Sequence, residues 1–155
     1  MAYAETTSVA FEKSIAEIIG AVRKAGAEQI GQFEGPNYYA VQFVLGERLI
    51  RFRLPFPSLE TIPLRSGNNV AYTNAQRLDQ LEQRKRQRGR ALLLVIKAKL
   101  ESVESGIETL EQAFLAHVVM ANGQTVYERI AEPIAIEYRT GAPSAGDGLL
   151  MLPAR

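Results

Sequence analysis

No cysteine occurs among the 155 residues, which excludes a disulfide, a thiolate nucleophile and any cysteine-based zinc or iron–sulfur site. Histidine is almost as scarce. His117 stands alone, with no second histidine, no His-Glu-x-x-His pair and no cysteine to share a metal, so it reads as a structural or capping residue. The phosphate-loop and dinucleotide glycine patterns are missing, as is the serine elbow. No metal, cofactor or enzymatic activity is expected. Long apolar runs are missing too. Leu92 to Ile96 falls far short of the roughly 18 residues a membrane-spanning helix needs, and MAYAETTSVAFEKS lacks a basic stretch followed by an apolar one. A protein of the cytoplasm is the expectation. Charge of one sign is also lacking: 18 Lys and Arg against 17 Asp and Glu leave a net +1, so attraction to a polyanion must come from local clustering.

With 46% hydrophobic residues, the chain suits one domain, expected over residues 1–140, followed by a tail at 141–155 that is flexible or docks through Leu149, Leu150 and Leu152. Phe11, Ile15, Ile18, Ile19 and Val22 recur at helical spacing and Gly26 follows as a stop, giving a first helix from about Ser8 to Ala25. Residues 30–57 are aromatic and β-branched, punctuated by Gly35-Pro36-Asn37 and Gly46-Glu47, which reads as a meander of three strands. A two-residue loop at Gly46-Glu47 opposes Phe43 to Ile50, Val41 to Phe52 and Tyr39 to Leu54 on a core face. Tyr38, Ala40, Gln42, Val44, Leu49, Arg51 and Arg53 then line the other face.

Residues 55–72 read as a long, partly ordered loop, and Thr73 with Gln76 as a capping box opening a long helix. In that helix Leu92 to Ile96 is apolar on every side and is expected to be the most deeply buried segment. Gly89 marks a bend or the start of a projection beyond the core. A turn is expected near Gly106, where Ser105 to Glu108 offers another capping box. Asn122-Gly123 is expected to end the next helix, and Thr125 with Glu128 to cap a last one that Pro133 kinks or shortens. The fold class that follows is α+β: an N-terminal helix, a small antiparallel meander, and a long C-terminal helical region packed on the sheet.

Clustered charge is the main functional signal. Residues 77–99 carry eight cations, Arg77, Arg84, Lys85, Arg86, Arg88, Arg90, Lys97 and Lys99, against Asp79 and Glu82. Arg86, Arg90 and Lys97 share a helix direction away from the apolar stripe, where the planar fork of arginine suits phosphate. The same run serves equally as the solvated side of a long helix. Arg51 and Arg53, on the strand face of Tyr38, form a second candidate, because cationic and aromatic strand faces stack bases and hold phosphates. Such residues are also common on any half-exposed sheet. Glu101, Glu104, Glu108 and Glu111 could hold a cation or be solvated surface.

Residues 91–138, ALLLVIKAKLESVESGIETLEQAFLAHVVMANGQTVYERIAEPIAIEY, preceded by a strand ending in IRFRLPFP and a Gln/Arg-rich helix, resemble a family of small uncharacterised proteins of tailed bacteriophages and prophages. The likeness spans about Val41 to Tyr138. It supplies no site residues. It implies a phage product acting in the host bacterial cytoplasm, in a setting where small non-virion proteins serve replication, recombination or host takeover. The expected function is a non-enzymatic nucleic-acid-binding protein, of single strands for choice. The alternative is a protein-interaction module, such as an inhibitor of a host or defence protein, or an oligomeric accessory whose helices pair. A homo-oligomer is expected in either case.

Overall fold

The computed structural model describes residues 4–144; the expected tail contacts of Leu149, Leu150 and Leu152 lie outside the described residues. Helix α1 (Phe11–Lys24) leads into strands β1 (Glu28–Gly35), β2 (Tyr38–Leu45) and β3 (Arg48–Pro55). A loop holding a short 3-10 turn at Leu59–Thr61 precedes α2 (Asn74–Glu104), which is followed by α3 (Leu110–Phe114), a 3-10 turn at Leu115–His117 and α4 (Val126–Thr140). The architecture is α+β, as its sequence pattern implies.

The strands form one antiparallel sheet in the order β1-β2-β3. The β2–β3 register pairs Phe43 with Ile50, Val41 with Phe52 and Tyr39 with Leu54. At the hairpin, Gly46 and Glu47 both have positive φ, 54° and 63°. That is the type I′ geometry whose twist matches the flanking strands. Val118 bridges to Ile50 and Val119 to Thr125, so the segment after α3 extends the sheet at the β3 edge. Asn122-Gly123 therefore does not end a helix. It forms the turn that joins Val119 to its bridge partner Thr125, with Gly123 at φ 82°.

One face of the sheet carries the core. Ile15, Ile18 and Val22 of α1, Leu92, Leu93 and Ile96 of α2 and Phe114 of α3 pack on Tyr39, Val41, Phe43, Ile50 and Phe52. Each fully buried Ile or Phe side chain contributes about 1.5–3 kcal/mol through area removed from water. The Phe114 ring meets Phe43 and Phe52 edge-on, with centroids 6.4 and 6.2 Å away.

Two local expectations are corrected, and one position gains a packing role. Gly89 is buried within α2, and a Cβ on it would lie 2.7 Å from Phe11 Cδ2 and 3.3 Å from Ser14 Cβ. Glycine is there so that α1 can approach. Leu92–Ile96 is not buried all round, since Leu94 and Val95 are 47% and 45% exposed; only one side of α2 meets the core. The cap near Gly106 is also displaced. Ser105 closes α2, Gly106 turns at φ 74°, and Thr109 with Gln112 forms the capping box of α3.

The expected boxes at Thr73 with Gln76 and Thr125 with Glu128 are present with both reciprocal hydrogen bonds. Helix α4 runs through Pro133 to Thr140 and has no buried residue.

Candidate nucleic-acid interface

Among the described residues, the second sheet face contributes nothing to the core cluster, and its side chains build the candidate site. In register, Phe33, Ala40 and Arg53 form one cross-strand row, Gly31, Gln42 and Arg51 the next, and Gly35, Tyr38 and Pro55 a third. Directly opposed residues point the same way. Small residues alternate with large ones on this surface, and the rings fall into the gaps. A Cβ on Gly31 would lie 3.4 Å from Phe33 Cε2, and one on Gly35 would overlap Tyr38 Cε1. The Tyr38 ring thus fills the space of a Gly35 side chain, and Phe33 leans towards Gly31 while remaining 50% exposed.

Arg53 completes the stack: its guanidinium carbon lies 4.5 Å from the Tyr38 ring centroid, a cation–π geometry that holds the planar group over the ring. Arg51 is more constrained. Its Nε donates to Gln42 Oε1 at 3.3 Å and its Nη1 to the Gly123 carbonyl at 3.0 Å, tying the sheet to the 120–124 turn. The strand-face candidates Tyr38, Arg51 and Arg53 therefore occupy one surface, with Tyr38 and Arg53 in contact.

The helix candidates are not brought together in the same way. Arg90 turns towards α1, where Nη1 donates to Glu17 Oε2 at 2.8 Å and the side chain is only 18% exposed. The Glu17 carboxyl is held below the usual carboxylate range, first by that hydrogen bond and further by the charges of Arg90, Lys97 and Lys13, with burial opposing. Arg86 donates from Nε and Nη2 to Gln83 Oε1 at 2.9 and 2.7 Å. Lys97 is exposed and lines a cleft of about 580 Å³ between the C-terminal ends of α1 and α2, with Leu45, Leu100, Val103 and Phe114 among its walls. The shared direction read from the helix projection is the flank facing α1, so neighbouring groups on α1 take up Arg90.

His117 stacks on Phe52, with centroids 4.0 Å apart and planes 23° from parallel. Its imidazole is pushed below its ordinary value by burial first and by the Lys99 charge second, against a hydrogen bond with the Arg51 backbone that raises it. The Glu101–Glu111 ladder does not converge on a point: Glu111 pairs with Arg48 at 3.2 Å and Glu108 accepts from Ser102 at 2.7 Å. Among the described residues, no group of three or more His, Asp and Glu is placed to hold a metal ion, and no helix is long and apolar enough to cross a membrane.

Phe33 is the site residue that sequence reasoning missed. Its flanking glycines, Gly31 and Gly35, mark a strand whose face is left open for a ring, and that spacing was the available clue. Compared with family models, curated proteins and solved structures, the chain matches none.

Proposed function

We propose that the chain is a non-enzymatic binder of single-stranded nucleic acid and that the open sheet face is its binding surface. The observation that carries this reading is the half-exposed Phe33 ring beside Arg53 stacked on Tyr38. An unpaired base offers a flat face that stacks on an aromatic ring or a guanidinium plane, and each such contact is worth about 1–3 kcal/mol. In a duplex those faces are already stacked on their neighbours, so this surface favours a single strand. Arg53 and Arg51 supply positive charge beside the rings. Of the three helix cations read as a phosphate grip, Arg90 is paired with the Glu17 carboxylate, so it contributes less charge than Arg53 of the strand face. The phage setting, the host cytoplasm and a role in replication or recombination belong to the same proposal and rest on the resemblance alone.

Fluorescence anisotropy with labelled single- and double-stranded oligonucleotides of the same sequence tests this. Tighter binding of the single strand is expected. If Arg51 and Arg53 are the phosphate contacts, log K falls with log salt at a slope of about 1.4, roughly 0.7 per contact. Preference for the duplex, or no binding near 50 mM salt where the counterion contribution is large, overturns the proposal. The alternative reading, a protein-interaction module, is favoured by the exposed side chains of Leu94 and Val95 on α2.

A further inference from the structure

We infer that the open sheet face prefers guanine to adenine at the Phe33 ring, with Gln42 as the residue that reads the base edge. The inference rests on the reading of this face as a single-strand surface and adds which base it takes.

Gln42 stands between Gly31 and Arg51 in the cross-strand row beside that of Phe33. The missing side chain of Gly31 brings the two together. A Cβ there would lie 3.4 Å from Phe33 Cε2 and 3.5 Å from Gln42 Cγ, so a base stacked on the Phe33 ring has the Gln42 amide at its edge. Which end of that amide faces the base is set by Arg51. A guanidinium has donors and no acceptor, so the group that Arg51 Nε approaches at 3.3 Å is the Gln42 oxygen. Arg51 is anchored in turn, because its Nη1 donates to the Gly123 carbonyl at 3.0 Å. Gln42 Nε2 is left without a protein partner among the described residues, and it is not sealed from solvent. It offers two N–H donors.

The surrounding surface has the same bias. The three rows of the site hold no carboxylate, and Arg51 and Arg53 only donate. Apart from the Tyr38 hydroxyl and the Gln42 oxygen that Arg51 holds, their polar side chains present donors alone. Guanine suits such a surface, since its O6 and N7 are neighbouring acceptors on one edge. Adenine has an equal two-ring surface for stacking but carries the N6 amino group, a donor, where guanine has O6. Donor then faces donor, and groups buried without partners lose the hydrogen bonds they made to water. The two purines thus differ in what Gln42 meets and hardly at all in how they stack.

Fluorescence anisotropy of the full chain with single strands of thymine that carry one central purine is the test. The guanine strand should bind at least about fivefold more tightly than the adenine strand, the lower end of what one base-reading contact supplies. Inosine, which keeps O6 and N7 and lacks the 2-amino group, should match guanine, whereas 7-deazaguanine should fall towards adenine. Gln42→Met keeps the length of the side chain without its donors and should bring the guanine-to-adenine ratio within about twofold. Should Gln42→Met fail to fold by circular dichroism, Gln42→Glu, which offers acceptors alone, serves in its place with the same loss expected. Arg51→Leu frees the amide to turn and should lower that ratio as well, a change that loss of a phosphate contact would not cause, because phosphate contacts carry no sequence information. Equal binding of the guanine and adenine strands overturns the inference and leaves single-strand binding standing. A ratio that survives removal of the Gln42 donors overturns it too. If none of the strands binds near 50 mM salt, the single-strand reading and this inference fall together.

Discussion

Arg90 of α2 donates to Glu17 of α1 at 2.8 Å, so one of the most prominent cations of the 77–99 run faces a neighbouring helix. Among the described residues its Nε is buried without a partner, which raises the stake in keeping the Nη1 contact. Arg90→Ala should therefore lower stability in chemical denaturation, by less than a core truncation, and leave oligonucleotide affinity within about twofold of the original. A drop in affinity with a shallower salt slope would show that Arg90 holds a phosphate after all.

The contact of Phe11 with Gly89 gives a second prediction. In an open helix, Gly→Ala gains about 1 kcal/mol. Here the new methyl would meet the Phe11 ring at 2.7 Å, and that ring is held edge-on between Tyr39 and Phe56, with centroids 5.3 and 5.1 Å away. Overpacking of this kind costs about 1–3 kcal/mol. Gly89→Ala should thus be destabilising by about 1–2 kcal/mol in urea unfolding, and Phe11→Leu in the same chain should relieve part of the crowding. A net gain in stability would mean that the α1–α2 approach is looser than described.

His117 makes stability depend on pH in a defined window. Burial against Phe52, helped by Lys99, lowers the folded-state value from the unfolded one of about 6.5. Above about 6.5 both states are neutral and the full stability is present; on acidification the unfolded chain takes up its proton first, so stability falls and levels off below the folded value. Urea unfolding at pH 7.5 and 5.5 should show the loss. His117→Phe, which keeps a ring for the stack, should abolish that part of it. An unchanged pH difference in the variant would assign it to other groups.

How much of this was legible in the sequence differs from element to element. The hairpin register follows from alternation, because a one-residue slip would have turned Arg51 and Arg53 into the core. Two helix starts follow from Thr73 with Gln76 and Thr125 with Glu128, whose side chains complete the backbone locally. Tertiary contacts were not legible in this way. The projection of α2 places Arg90 opposite the apolar stripe, but only the packed α1 reveals Glu17 beside it. The run Leu92–Ile96 shows no polar break, so nothing in it tells which side the sheet and α1 leave uncovered. At Gly89, the absence of a side chain reads as weakness in a helix until the ring of Phe11 is seen to occupy the space.

The open sheet face is the central claim, and Phe33 tests it most directly because its ring is half exposed and outside the core cluster. The measurement is the dissociation constant of Phe33→Ala for a single-stranded oligonucleotide, by anisotropy, beside that of the original chain. Loss of one stacking platform worth about 1–3 kcal/mol predicts weakening by roughly 5- to 150-fold, with the salt slope unchanged because no phosphate contact is lost. An affinity unaltered by the substitution would contradict the account.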